Sequence, residues 1–228
     1  MERRDFIALS TLVTATSIMG ADTTPQVLQR QLQSEIYTPR PLAFNPKKLN
    51  GFSEKIILSH HQNNYGGAVK RAKMIEEKIA SLPSSSAPFE LGSLKREQMV
   101  AVNSMILHEY HFDNLGASGQ MSPALANKIS AVFTTTQNWE NEFKKAALSL
   151  GGGSGWILLV YNHRLKSVEN VWSWDHMHGL WDSEILLALD MYEHSYQMDF
   201  GANAKEYVET FMKNINWDVV NKRFESIS

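Results

Sequence analysis

Apolar residues recur at helical spacing from Ser53 to about Ser81, at Ile56, Ile57, Val69, Met74, Ile75 and Ile79. This predicts a long amphipathic helix. Ser53 supplies the N-cap and Glu54 a favourable charge in the first turn. A Ser/Pro loop over Ser81–Pro88 leads into a second helix, from about Leu94 to Leu115 through Met99, Val102, Met105, Ile106 and Phe112, which Gly116 ends. Two long helices joined by a loop make an antiparallel hairpin. Ahead of it, Thr24–Phe44 carries Pro25, Pro39 and Pro41 and reads as an extended arm.

Beyond residue 117 the pattern changes. Pro123–Phe133 and Thr136–Leu150 read as shorter helices, and Gly151–Gly155 breaks the second. Trp156–Tyr161 is a continuous apolar run that suits a strand buried on both faces. Ser167–Trp174 alternates and pairs with it across the Asn162–His163 turn, and Ile185–Leu189 supplies a third strand. Tyr207–Ile215 returns to helical spacing. The expected fold is α+β, with an N-terminal long-helix hairpin over residues 37–117. A C-terminal α/β domain over residues 118–228 follows, holding a three-stranded antiparallel sheet and flanking helices.

Composition narrows the chemistry. Among 228 residues, 22 Lys and Arg stand against 24 Asp and Glu, a formal charge of −2 that offers no polycationic face to nucleic acid. Cysteine is absent, which removes disulfide scaffolds, zinc ribbons, iron–sulfur clusters and thiol catalysis. Metal chemistry is left to histidines and carboxylates. At the start of the chain, Arg3-Arg4-Asp5-Phe6-Ile7 opens a Ser/Thr-rich apolar run to Met19, Gly20 and Ala21. Residues 1–23 thus read as a twin-arginine-type signal peptide, implying export to the periplasm. The alternative is an uncleaved start to a cytoplasmic protein. The run is too short and hydroxyl-rich for a membrane span.

The sharpest chemical signal is Asp190 with His194. The apolar strand Ile185–Leu189 delivers a carboxylate at its end, where burial is costly unless a cation or several donors meet it, and His194 follows one turn on. Taken alone, capping by Asp190 is the plainer reading. His108 shares an inward stripe with Ala101, Met105, Phe112 and Leu115, and His60 shares one with Ile56, Ile57, Asn64 and Gly67. Together they compose a three-histidine, one-carboxylate set of a kind that suits iron, manganese or zinc. Gly151–Gly153 leads into a strand and no helix, so nucleotide binding is rejected.

These residues resemble the iron/manganese superoxide dismutases. His60, His108 and Asp190-x-x-Glu193-His194 look like that family's metal ligands, and the likeness extends from about Tyr37 to Phe224. Tyr37-Thr-Pro-Arg-Pro-Leu42 resembles its arm, Gly153-Ser-Gly-Trp156 its turn into the first strand, and Asp190-Met-Tyr-Glu-His-Ser-Tyr196 its signature. Asn214-Ile-Asn-Trp217-Asp218 resembles its last turn. Counted from the Ser53 cap, the family pattern puts the first ligand at His60 and turns His61 toward the flank. In the second helix His108 is preferred to His111, which leaves Phe112 at the place of a family aromatic.

The resemblance implies dismutation of superoxide by one iron or manganese ion per subunit, with iron slightly favoured, alternating between the +3 and +2 states. It implies that His176, or His178 nearby, contacts the metal-bound solvent. It also implies a homodimer in which Glu193 reaches the partner's ligand histidine. Departures stand at the gateway: Ala68 where the family carries tyrosine, Asn64 where it carries histidine with Tyr65 as the nearby substitute, Tyr192 for tryptophan, and Ala204 beside Lys205 for arginine. Losing that cation implies weaker steering of a small anion. The competing expectation is a non-catalytic or weakly active metal-binding member of the same fold.

Overall fold

The computed structural model describes residues 36–227. The segment read as a signal peptide, and the arm up to residue 35, lie outside the described residues. The first helix opens as α1 (Glu54–Ser59), capped by the Ser53 side chain accepting from the Ile56 amide. It continues through a π-helical turn (His60–Tyr65) into α2 (Gly66–Ala80). The second helix, α3, runs Pro88–Asp113 and starts earlier than the apolar pattern implied. Pro88 occupies the first helical position, where its missing N–H costs nothing, and the Glu90 carboxylate accepts from the Ala87 amide.

The π turn resets the register. In a regular helix Tyr65 would lie about 140° round from His60. A turn closed by i→i+5 bonds holds an extra residue and brings it back toward the His60 face. The buried stripe therefore runs Ile56, His60, Tyr65, Ala68 and Ala72, while Asn64 is half-buried and Gly67 exposed, against the expected stripe. Met74 and Met99, counted among the apolar positions of the hairpin, are 58% and 46% exposed.

The second half follows the predicted order: α4 (Pro123–Phe133), α5 (Thr136–Leu148), then strands β1 (Trp156–Asn162), β2 (Ser167–Ser173) and β3 (Ser183–Asp190). A 3-10 turn (Glu193–Ser195) follows, then α6 (Gln197–Phe200), α7 (Ala204–Lys213) and α8 (Trp217–Glu225). The antiparallel sheet has the order β2-β1-β3. Central β1 is buried on both faces, which explains its unbroken apolar run. Ile157 and Leu159 enter the main core, while Trp156, Leu158 and Val160 face Leu107 of α3. That core joins Ile56, Val69 and Phe112 of the hairpin to Trp139, Phe143, Leu187 and Phe211. No described helix is long and apolar enough to cross a membrane.

Candidate metal centre

The end of β3 carries Asp190, fully buried, and the turn after it swings His194 back over the strand. The π turn begins with His60, and α3 presents His108. All three imidazoles converge on one atom: Asp190 Oδ2 lies 3.1 Å from His60 Nε2, 3.5 Å from His108 Nε2 and 3.3 Å from His194 Nε2. The four donor atoms lie within 4.8 Å of one another. Ligands held about 2.1 Å from a common ion sit about 3.0–3.4 Å apart, the spacing seen around Oδ2.

A second observation shows that these residues fit a metal. His108 Nδ1 donates to the Ser104 carbonyl at 2.6 Å, which leaves Nε2 as an unprotonated acceptor facing the cluster. Among the described residues, that Nε2 is the buried side-chain nitrogen or oxygen left without a hydrogen-bond partner. An orphaned acceptor of this sort costs about 1–3 kcal/mol, and a cation is what would satisfy it. Burial lowers His60 and takes His108 well below the usual imidazole range, so both stand neutral. Burial works to raise the Asp190 carboxyl, but hydrogen bonds from His194 and His60 outweigh it and hold it well below the carboxylate range. Three imidazole nitrogens and one carboxylate could hold iron, manganese or zinc.

Aromatic rings wall the cluster. Trp156 stands edge-on to His108, ring centroids 5.2 Å apart, and its Nε1–H donates to His176 Nδ1 at 3.0 Å. His176 stacks on Tyr192 at 4.7 Å, and Tyr192 stacks in turn on His194. The structure thereby separates the two loop histidines: His178 instead bonds Asp175 at 2.6 Å and packs on Trp174. His61 lies to the flank, with Nε2 against the Arg40 carbonyl at 2.8 Å. Tyr65 is buried with its ring 6.5 Å from that of His108, but its hydroxyl turns outward. It donates to Glu109 at 3.0 Å and accepts from the Arg40 amide at 2.9 Å. Burial leads in pushing the Tyr65 phenol up to about 12. Glu193 is exposed, and Ala204 packs near Gly151.

Sequence reasoning missed the groups behind Asp190. The Tyr207 hydroxyl donates to the Asp190 carbonyl at 2.6 Å, and Ser195 Oγ donates to it at 3.0 Å. Tyr207 is remote in sequence and carries no local signature. A Tyr207→Phe substitution is expected to cost about 1–2 kcal/mol, since Ser195 still serves the carbonyl. Thermal unfolding of the metal-free protein checks this, with a fall of a few degrees expected.

A cluster of three imidazoles and one carboxylate, set between a helical hairpin and a small antiparallel sheet, has the donor set of a protein that could hold a single metal ion. Residues 121–223 match the family described as "Iron/manganese superoxide dismutases, C-terminal domain". The superoxide dismutase [Fe] of Cupriavidus metallidurans is 50% identical over 190 residues, covering 83% of this chain and 96% of that protein. Superoxide dismutase [Fe] of Aquifex aeolicus is 33% identical over 191 residues, covering 79% of this chain and 87% of its own. Superoxide dismutase [Mn] 1 of Halobacterium salinarum is 32% identical over 176 residues, 76% of this chain and 86% of its own. The chain belongs to the iron/manganese superoxide dismutase family.

Proposed function

We propose that the protein is a superoxide dismutase with iron or manganese held by His60, His108, His194 and Asp190. The observation that carries this is the convergence of three Nε2 atoms on Asp190 Oδ2, with His108 Nε2 otherwise unpartnered. When bound, the ion supplies a one-electron couple between +3 and +2, by which two superoxide anions and two protons become dioxygen and hydrogen peroxide. The chain's residues bind, orient and shield. Asp190 offsets part of the metal charge, and the neutral imidazoles donate without adding any. Trp156 and Tyr192 close the site against bulk water. His176 accepts at Nδ1 from Trp156, so its own proton sits on Nε2, where it serves as a hydrogen-bond donor for the small anion. Tyr65, its hydroxyl tied to Glu109 and the Arg40 amide, packs its ring beside His108 and helps shield that face of the site.

Superoxide decay measured with iron-loaded and with manganese-loaded protein tests this reading. Turnover well above that of the free ion is expected. Activity no greater than the free ion would return the protein to the non-catalytic, metal-binding alternative that Ala68, Asn64 and Ala204 motivate.

A homodimer is part of the proposal. The His194 side chain is 29% exposed while those of His60, His108 and Asp190 are 2% or less, so the cluster is open at His194, whose chain neighbour Glu193 is exposed. A second copy supplying its Glu193 there would cover and orient His194. Glu193→Ala is expected to weaken dimerisation roughly tenfold or more, read by sedimentation equilibrium. A monomeric unsubstituted protein would contradict the bridge. Export is likewise proposed, supported by Arg3, Arg4 and the run that follows. Converting both arginines to lysine is expected to hold the full-length chain in the cytoplasm on cell fractionation.

A further inference from the structure

Among the described residues, the sheet order leaves one edge of β3 without a neighbouring strand. The Met191 amide bonds the Gly155 carbonyl on the β1 side, so by ladder alternation the backbone groups of Leu186, Ala188 and Asp190 point away from β1, toward α3. Side chains replace the absent strand. Asn114 accepts from the Ala188 amide at 2.9 Å and donates to the Leu186 carbonyl at 3.4 Å. One turn back along α3, His111 faces the last outward amide: the Asp190 N–H is aimed at His111 Nδ1 at 3.4 Å. His111 is buried, stacked on Phe211 at 5.6 Å and set behind His60 at 5.3 Å. It is not one of the four converging donors.

We infer that His111 is a positioning residue, whose Nδ1 accepts the Asp190 backbone N–H and so fixes the angle at which that carboxylate meets the metal. A buried amide without an acceptor is rarer than an under-satisfied carbonyl, and among the described residues His111 Nδ1 is the acceptor the outward-facing Asp190 N–H meets. The tautomer follows: Nδ1 is unprotonated and the ring proton sits on Nε2. The Ala188 carbonyl, 3.3 Å from the same nitrogen, is then a neighbour and not an acceptor from it. Asp190 is consequently gripped from three sides. His111 holds its amide, Tyr207 and Ser195 its carbonyl, and the Tyr192 amide donates to Oδ1, leaving Oδ2 for the cluster. Groups that orient a ligating carboxylate set how tightly the ion is kept.

The inference rests on the metal-site proposal for its effect on retention, but the contact itself is readable without metal. In the metal-free wild type, nitrogen-15 NMR should find His111 protonated at Nε2, with Nδ1 coupled through its hydrogen bond to the Asp190 amide. A proton on Nδ1 would overturn the inference, and this needs no variant to fold. Two substitutions then separate acceptor from ring. His111→Phe keeps aromatic volume and loses the acceptor, while His111→Asn loses the ring and presents an amide oxygen near the position of Nδ1. Iron or manganese should pass to a chelator roughly tenfold faster from His111→Phe, and within about threefold of the wild-type rate from His111→Asn. Exchange of the Asp190 amide in metal-free protein should follow the same order, with the β1-bonded amide of Leu189 as internal reference. Equal behaviour of wild type and His111→Phe, or of the two variants, would sink the proposal. A wild type that takes up neither metal would sink the metal-site reading alone, since the tautomer and the amide exchange would still report on His111.

Discussion

The His108→Ala protein is expected to fold and to come through purification without iron or manganese. His108 Nε2 is buried and unpartnered, and Nδ1 is tied to the Ser104 carbonyl, so the ring points one acceptor at the cluster and has nothing else to do with it. In the metal-free state, truncation removes an acceptor that costs about 1–3 kcal/mol to bury unsatisfied. This offsets much of the packing lost with the ring. The metal-free variant should therefore unfold within a few degrees of metal-free wild type. Loading should separate them. Metal at a thousand times its dissociation constant stabilises the wild type by about 4 kcal/mol, or roughly 8–16 °C for a chain of this size. The variant should gain nothing. His61→Ala is the control, because His61 bonds the Arg40 carbonyl and faces away. Metal analysis and thermal unfolding with and without metal decide the matter. Metal kept by His108→Ala and lost by His61→Ala would place the first two ligands elsewhere.

Gly155→Ala is expected to be the most damaging small substitution in the turn before β1. Gly155 has φ +136°, a backbone state that side-chain-bearing residues rarely adopt. A Cβ there would lie 2.4 Å from the Ser173 carbonyl oxygen, 2.8 Å from Leu150 Cδ1 and 3.0 Å from Trp174 Cα. Two of these are backbone atoms, at the end of β2 and one residue past it, and cannot step aside. Strain and overlap together should cost about 3–5 kcal/mol, a fall of roughly 6–20 °C in the unfolding midpoint. Relief by moving β1 would carry Trp156 off His108 and His176, so metal retention and tryptophan fluorescence should change together. Gly152→Ala isolates the strain: φ is +77° there, but nothing lies within 4 Å of the added carbon. It should cost about 1–2 kcal/mol. Equal loss at both positions would show that overlap with Ser173 is not the cause.

Much of the architecture was legible because its determinants are local. The Ser53 cap, the breaks at Gly116 and Gly151–Gly155, and the apolar run of β1 each act over a few residues. The Asp190–His194 pair was legible for the same reason, being four residues apart at a strand end. The π turn was not. Such a turn gives up regular i→i+4 bonding, and the chain adopts it where tertiary packing rewards the altered register, here by seating His60 against Asp190 and Tyr65 beneath His108. Counting at 3.6 residues per turn therefore favoured Asn64 and Gly67 for the inward face, where Tyr65 and Ala68 stand.

The convergence itself belongs to the tertiary structure. His60 and Asp190 are 130 residues apart, and the Asp190 N–H is 79 residues from the imidazole that receives it. Residue types and their periodicity determined which side chains could face inward and which ligand chemistry was available. Whether four of them share one atom, which ring nitrogen carries a proton, and what lies behind the carboxylate were decided by packing α3 against the open edge of β3. Periodicity is set by the chain's own helical and strand geometry. Distances across the core exist only once separate elements have docked.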